Sequence, residues 1–298
     1  MERLNIADLS QAPLSFEGVY RMSTCQMRVA RTGKRYLQLT IEDSTGSMVA
    51  YAWQQPDKQL SRVCSAHIYL RGKSRYYDGN YVADILSVES ISPLPAQCLV
   101  TLPSTECPVP KALAEFTYMV LSIEHDGLRQ LLINTFSQEL VALPFLKAPA
   151  SMRNHHHFQG GLLVHSMECA RIILDLSIFS QLDKELGVTA ALLHDLGKIK
   201  TIGVDCSRPE LGRAVDHEAI TLELCASALA ELDISDPEIG IDLRHILTCR
   251  SIKRWGHEAR HPIAYALQLA DRISADNSLH QVCNGRSRQA EYKMLAQA

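Results

Sequence analysis

The sequence predicts an α+β chain of two domains, a small N-terminal β-barrel followed by an all-α helical bundle. Three observations predict it. Residues 12–91 alternate apolar and polar positions in short runs rich in β-branched and aromatic residues. Residues 92–110 hold Pro93, Pro95, Pro103, Pro108 and Pro110, five of the chain's 12 prolines. From residue 111 onward the apolar positions recur at helical spacing. A length of 298 residues suits two domains of about 100–200 residues each. The expected layout is a barrel over 1–91, a linker over 92–110 and a helical domain over 111–298.

The strands come first. RYLQLTIED (35–43), SMVAYAW (47–53), AHIYLRG (66–72) and YVADILSVESI (81–91) carry the period-two pattern. Thr32-Gly33, Ser44-Thr45-Gly46 and Asp78-Gly79-Asn80 supply the turns between them. Five short strands with a brief helical segment near 55–62 suit a barrel of the oligonucleotide/oligosaccharide-binding (OB) type, with another small barrel or sandwich as the alternative. The proline-dense stretch then stops helices and favours extended structure, as in a semi-rigid linker.

Helices follow. In 161–179, Leu163, Met167, Ala170 and Leu174 form one stripe, and Leu162, His165, Cys169, Ile172 and Leu176 a second. A helix apolar nearly all round is a central, buried one. Further helices are expected at 111–123, 126–140, 184–196, 216–231, 236–249 and 262–280, the last opened by Pro262 in its first turn.

Composition narrows the function classes. At 46% hydrophobic and 21% charged, the chain is neither a disordered tail, a collagen-like fibre nor a small disulfide scaffold. A net charge of −3 disfavours a uniformly basic nucleic-acid coat. The start, MERLNIADLSQAPLSF, has no apolar core of signal-peptide length, and no apolar run approaches the roughly 18 residues of a membrane span. The nine cysteines are scattered without a CxxC pair, which points to reduced thiols in a cytoplasmic protein.

Histidine is the informative residue. Ten of the 12 lie between 155 and 298, and only His67 and His125 precede them. In ALLHDLGKIK (191–200), His194 and Asp195 are adjacent at the end of an apolar helix. Such a pair is costly to bury unless something compensates it, and a divalent cation does so. Neighbouring helical side chains diverge by about 100°. Both reach one ion only if the helix is ending, and Gly197 is a plausible terminator. GGLLVHS (160–166) places His165 on the buried helix, and LQLADRISA (267–275) places Asp271 on another. Two imidazoles and two carboxylates from three helices make an open, mixed N/O metal site. Taken alone, the His-Asp dipeptide is weak evidence and reads more readily as a hydrogen-bonded core pair.

The order His165, His194-Asp195, Asp271 resembles the H…HD…D signature of the HD-domain phosphohydrolase superfamily, and HDLGK matches its HDxGK form. PFLKAPASMRNHHHFQGGLLVHS (144–166) resembles the stretch before the first metal histidine in YhaM-like 3′–5′ exoribonucleases, and GKRYLQLTIEDSTGSMVAYAW (33–53) resembles that family's N-terminal domain. The resemblance spans roughly residues 15–280 in the same domain order. It implies metal-dependent phosphodiester hydrolysis. His165, His194, Asp195 and Asp271 would hold the ion, Asp195 would bridge to a second, and Lys198 would contact the scissile phosphate. Imidazole plus carboxylate suits manganese first, with iron, cobalt, nickel or zinc next and magnesium last.

A second ion is where the pattern departs. His217, in AVDHEAI, matches an additional ligand of two-metal HD proteins. The His-His pair often found after a later helix is replaced here by ILTCR (246–250), with Cys249 and Arg250, and His245 just before it is the substitute candidate. His155 and His156 match a recurrent family His-His, for which orienting the phosphate or protonating the leaving oxygen is the role considered, with His157 beside them. The alternative for this run is loop histidines that cap the next helix.

Substrate holding is read from the barrel. Residues 1–90 carry 11 Lys and Arg against 9 Asp and Glu, and the remainder 19 against 24, so a mildly basic barrel precedes an acidic helical domain. Arg28, Arg31, Lys34, Arg35, Arg71, Lys73 and Arg75 interleave with Tyr36, Tyr51, Trp53, Tyr69, Tyr76, Tyr77 and Tyr81, about half of which are expected in the barrel core. A basic groove with stacking aromatics holds single strands with little sequence preference. Arg35, Tyr36 and Trp53 are the leading contacts there. Arg272, beside Asp271, and a second basic patch around Trp255 (250–261) are candidates near the metal.

The function expected is a 3′–5′ exonuclease on single-stranded RNA, with single-stranded DNA and a homo-oligomer both compatible with the sequence. The alternatives are an HD phosphohydrolase acting on nucleotides or cyclic dinucleotides, and a non-catalytic single-strand-binding or conjugation-associated module with a degenerate HD site.

Overall fold

A computed structural model describes residues 4–53, 67–154, 156–249 and 259–283, with side chains described up to residue 277. The chain divides into two compact units, Met1–Glu106 and Cys107–Ala298.

The first unit is a closed barrel with strand order β1-β2-β3-β5-β4, where β1 is Ser15–Val29, β2 Arg35–Asp43, β3 Gly46–Ala52, β4 His67–Tyr77 and β5 Asn80–Ser90. This is the five-stranded order expected of an OB barrel. Closure depends on β1, whose register shifts between Met22 and Thr24. Its first half pairs with β4, from Ser15 opposite Lys73 to Arg21 opposite His67, and its second half pairs with β2. A bulge of this kind bends a strand so that it serves two neighbours. The β4–β5 hairpin turns on Asp78 and Gly79, both at positive φ (50° and 84°), as an Asp-Gly two-residue turn requires.

Alternation sorts the side chains. Phe16, Tyr20, Leu37, Leu39, Ile41, Ile68 and Leu70 point inward and are buried. The short helix α1 (Ile6–Leu9) adds Ile6 and Leu9 to the same core, with Ile6 N–H donating to the buried Asp43 carboxylate at 3.0 Å. The aromatic expectation needs correcting. None of the seven rings named above is fully buried. Tyr36, Tyr51, Trp53, Tyr69 and Tyr81 are half-buried, and Tyr76 and Tyr77 are exposed. The barrel's own core rings are Phe16 and Tyr20, on β1. The helical segment expected near 55–62 lies outside the described residues.

The proline-rich stretch is not an extended linker. Pro95 is a first-turn residue of α2 (Pro95–Val100), and a 3₁₀ turn follows at Ser104–Glu106. Ser44 N–H donates to Val100 O at 3.1 Å and Thr105 Oγ1 donates to the Glu42 carboxylate at 2.5 Å, so this segment belongs to the barrel unit. Proline blocks a helix interior but fits its first turn, where no intrahelical N–H is needed.

Among its described residues the second unit is all helical. α3 (Pro110–Ser122), α4 (Asp126–Phe136) and α5 (Glu139–Lys147) bring together Phe116, Phe136 and Phe145, with centroids 4.9–5.6 Å apart. The expected single helix over 126–140 is thus two, broken around Ser137. α6 (Gly161–Leu174) is buried at every position from 161 to 170, as its all-round apolar pattern requires. It packs against α3, α5, α7 (Gln181–Leu193) and α13 (Pro262–Cys283), and the short α8 (Lys198–Thr201) and α9 (Glu210–Ala214), α10 (His217–Leu224), α11 (Ala226–Ser235) and α12 (Pro237–Thr248) complete the unit. The helix expected over 216–231 breaks at Cys225. Among the described residues no helix is long and apolar enough to cross a membrane.

Candidate metal centre

His165 sits mid-way along α6 and is fully buried. His194 ends α7, and Asp195 begins the turn that leads to α8. Asp271 projects from α13. Their side chains converge. Asp195 Oδ2 lies 3.4 Å from both His165 Nε2 and His194 Nε2, and Asp271 Oδ1 lies 3.1 Å from His165 Nε2.

The helix end that lets His194 and Asp195 share this point is not made by a left-handed glycine. Gly197 has φ −59° and ψ −17°. Its role is close packing. A Cβ at this position would stand 2.0 Å from His217 O. The missing side chain therefore lets α10 begin against the α7–α8 turn. Gly197 N–H also donates to Thr221 Oγ1 at 2.8 Å, which ties the two segments together. The result places His217 Nε2 3.1 Å from Asp195 Oδ1.

The two oxygens of Asp195 thus face different groups. Oδ2 meets His165, His194 and the Lys198 ammonium at 2.5 Å, and Oδ1 meets His217. The floor of the site is closed and its rim open. The side chains of His165 and Asp195 are 0% and 4% exposed, those of His217 and Asp271 33% and 46%.

Both deep imidazoles are oriented from behind. Ser274 Oγ donates to Glu168 at 2.7 Å and so accepts from His165 Nδ1 at 3.0 Å. His194 Nδ1 lies 2.8 Å from Ala191 O and donates to it. In each case the proton on Nδ1 leaves the Nε2 lone pair facing the cluster, the tautomer a metal ligand needs. His194 Nε2 is buried and makes no hydrogen bond, although Asp195 Oδ2 lies 3.4 Å away. A buried acceptor without a donor is expensive, and a cation satisfies it. The donor set therefore fits a divalent ion.

Electrostatics agree. Burial alone would raise the Asp195 pKa, but Lys198, His194, His165 and His217 hold it well below the ordinary carboxylate value. Burial likewise opposes ionisation of Asp271, and His165 and His194 outweigh it, so its pKa is lowered. Burial lowers His194 and keeps it neutral. His165 and His217 are raised despite burial, His165 by Asp195 and Asp271 and His217 by Asp195. Ionised carboxylates that draw protons onto neighbouring imidazoles mark a cluster that demands positive charge, and metal binding releases such protons. Cys169, one turn after His165, lies close enough that a sulfur, His165 and His194 fall within 4.8 Å of one another. Burial raises its pKa, so it remains a thiol beside the oxygen and nitrogen donors.

The remaining candidates divide. His156, expected at the phosphate, is instead buried behind His165, with Nε2 3.2 Å from both Ser274 Oγ and the Glu168 carboxylate. It supports the ligand rather than facing substrate. His157 is exposed and bonds Asn154 O at 2.8 Å. His245 is not brought to the cluster: its Nε2 accepts Arg260 N–H at 3.0 Å. Cys249 is raised by burial and packs near Gln268. Arg272 is exposed and makes no ion pair among the described residues. His155, Arg250 and Trp255 lie outside them. The sequence reading missed Glu168 and Ser274. Their only signal is spacing, three residues beyond His165 and Asp271 respectively, on the same helix faces.

On the barrel, Tyr36 and Trp53 stack at 4.5 Å, with Tyr51 6.0 Å from each. These rings lie on the outer face of β2 and β3 and just beyond, opposite the inward Leu37 and Ala52. Trp53 Nε1 donates to Asp84 at 3.2 Å, and Asp84 also holds Arg75 at 2.5 Å. Arg28 stands opposite Tyr36 across the β1–β2 ladder, and Arg35 is exposed at the start of β2.

Comparison with known proteins follows this division. The HD domain family matches residues 162–276, which contain His165, His194, Asp195, His217 and Asp271. A protein named 3′-5′ exoribonuclease YhaM from Shouchella clausii (strain KSM-K16) is 28% identical over 285 residues, covering 90% of this chain and 88% of its own. Proteins of the same name from Halalkalibacterium halodurans and Bacillus subtilis (strain 168) are each 26% identical, covering 91% and 89% of this chain and 88% and 86% of their own.

Proposed function

We propose that this YhaM-like, HD-domain chain is a metal-dependent 3′–5′ exoribonuclease that holds a single strand on its barrel and hydrolyses the terminal phosphodiester at the His165/His194/Asp195/Asp271 cluster. The observation that carries the reading is the convergence of these four side chains on a buried floor, with the unpartnered Nε2 of His194 aimed into it.

When bound, a divalent ion supplies charge stabilisation on the phosphoryl oxygens and an activated water. The chain's own residues do the rest. Asp195 and Asp271 provide the anionic oxygens, and His165 and His194 the nitrogens. Lys198 Nζ, 2.5 Å from Asp195 Oδ2, stands where it meets a phosphate oxygen and neutralises charge developing there. Nitrogen and oxygen donors, with the neighbouring Cys169 sulfur protonated, favour manganese over ions that need a thiolate. Asp195 Oδ1 faces His217 rather than the other three partners, so Asp195 and His217 would be the residues to hold a second ion.

The strand is held by the Tyr36, Tyr51 and Trp53 platform. It occupies the strand 2–3 face through which OB folds take oligonucleotides. Stacking on π-faces is tolerant of sequence, as a degradative enzyme needs.

The test is a manganese-loaded sample with 5′-labelled single-stranded RNA, and single-stranded DNA in a parallel arm. A ladder that shortens one nucleotide at a time from the 3′ end is expected. Hydrolysis confined to mononucleotides or cyclic dinucleotides would sink the reading, as would binding without cleavage under every divalent ion.

A further inference from the structure

Beside the metal cluster, a second small cavity of about 150 Å³ opens between the α8 turn and the segment that leads into α10. Lys198 and His217 form its wall towards the cluster, and Arg208, Asp216, Met152 and Val215 complete the part that matters here. Its volume is below the roughly 300 Å³ at which pockets begin to hold whole small molecules. A single phosphate group with its water fits this space.

Arg208 is built as a receptor. Its Nε donates to Gly212 O at 2.7 Å, which fixes the plane of the guanidinium against α9. The two terminal NH₂ groups have no hydrogen bond or ion pair among the described residues, although Arg208 lines the cavity. A guanidinium held through Nε with its outer nitrogens unused matches the bidentate geometry of a phosphate. Lys198 lies in the same wall and is shared with Asp195. Against the single carboxylate of Asp216, the lining remains net cationic.

We infer that Arg208 receives a second phosphodiester of the strand, adjacent to the one at the metal cluster, and so makes the enzyme prefer substrates that still carry two or more phosphates. The inference rests on the exoribonuclease reading above. It adds a subsite and a length preference that the cluster alone does not supply. Phosphate contacts of this kind fix register along the strand without reading sequence.

The test compares a ribodinucleotide with one phosphodiester and a ribotrinucleotide with two, on the full manganese-loaded chain. In the wild type the trinucleotide is expected to have the higher kcat/KM, by about tenfold or more for a charge-assisted contact. Arg208→Ala should remove most of that advantage and leave dinucleotide turnover within about twofold, which also reports that the variant is folded. Arg208→Lys, with charge but no fork, should retain part of it. Equal loss on both substrates, or no loss on either, overturns the Arg208 assignment while leaving the exoribonuclease intact. Wild-type protein inert towards both substrates and towards longer RNA refutes the exoribonuclease reading itself, and the subsite with it.

Discussion

Ser274 Oγ stands 3.0 Å from His165 Nδ1 and 2.7 Å from the Glu168 carboxylate, a buried relay that fixes which nitrogen of His165 carries its proton. His156 Nε2 joins the relay, 3.2 Å from both Ser274 Oγ and the Glu168 carboxylate. Groups that orient a ligating imidazole typically account for 10–100-fold in metal affinity. Ser274→Ala is therefore expected to weaken manganese binding by roughly tenfold and Glu168→Gln by a similar factor, read by calorimetric titration of the metal-free protein. Neither residue touches the cluster opening, so strand binding should be unchanged. Unaltered metal affinity in both variants would remove the relay from the site's design.

Asp195 is the point on which the cluster turns, because both of its oxygens are engaged by cationic or imidazole partners. Asp195→Asn keeps the shape and removes the charge. Losing several kcal/mol of charge stabilisation corresponds to a fall in kcat of roughly a thousandfold or more. Affinity for a single strand, measured by anisotropy, should remain within about twofold of wild type, since the platform is on the barrel. An Asp195→Asn protein with near-normal turnover would refute the site.

Gly197 tests how the turn assembles the rim. An added methyl would meet His217 O at 2.0 Å and Thr221 N at 2.9 Å, both of them backbone atoms. Backbone cannot swing aside as a side chain does, so α10 must shift and carry His217 away from Asp195. Gly197→Ala is expected to cost about 1–3 kcal/mol of stability in chemical denaturation. It should also reduce bound metal per chain if the second ion depends on His217. A fully stable, fully active Gly197→Ala would show that the close approach is dispensable.

The cluster was legible because histidine and aspartate are rare on helices that are otherwise apolar. His165 within a buried helix and His194-Asp195 at the end of another are costly unless they are compensated. Its support was not legible. Glu168 and Ser274 are ordinary helix residues, and only three-dimensional packing of α13 against α6 reveals that they meet. The inward turn of His156 is hidden for the same reason, since a histidine run before a helix does not show which ring turns inward. The barrel followed from alternation, but alternation alone did not say which rings face out. The strand phase put Tyr36 and Tyr51 outside and Tyr20 inside. Pro95 and Pro110 read as breakers in the sequence, yet each opens a helix, because a proline forbids helix interiors and favours first turns with the same ring.

Glu185 on α7 sets an acid limb to stability. Its buried carboxylate accepts the backbone N–H groups of Glu124 and His125 at 2.9 and 2.8 Å and the Gln181 amide at 2.7 Å, at the start of α4. Burial alone would raise its pKa, but these donors outweigh it and the value lies below the ordinary 4.5. A depressed folded-state pKa means the stabilisation is present above about 4.5 and is lost as pH falls through the folded value. Glu185→Gln is expected to cost about 1–3 kcal/mol at neutral pH and to flatten the decline below pH 4.5. Denaturation curves at pH 7 and pH 4 measure both, and an unchanged acid slope would count against the carboxylate.

The barrel platform separates stacking from charge. Trp53 lies against Tyr36 at 4.5 Å and is fixed by its bond to Asp84, so its ring is pre-oriented rather than free to collapse onto the surface. Arg35 begins the adjoining strand, is exposed and makes no ion pair among the described residues. The two should fail differently. Trp53→Ala is expected to weaken binding by about 1–3 kcal/mol at every salt concentration, because stacking releases no counterions. Arg35→Ala should cost less but lower the slope of log affinity against log salt by about one. Anisotropy titrations of a single-stranded RNA on an Asp195→Asn background, across several salt concentrations, resolve the two effects without cleavage. If Trp53→Ala changed the slope and left low-salt affinity intact, the rings would be structural and the barrel would hold RNA by charge alone. If neither variant mattered, the strand would have to be held elsewhere, because the β2–β3 face combines an ordered aromatic stack with adjoining cations.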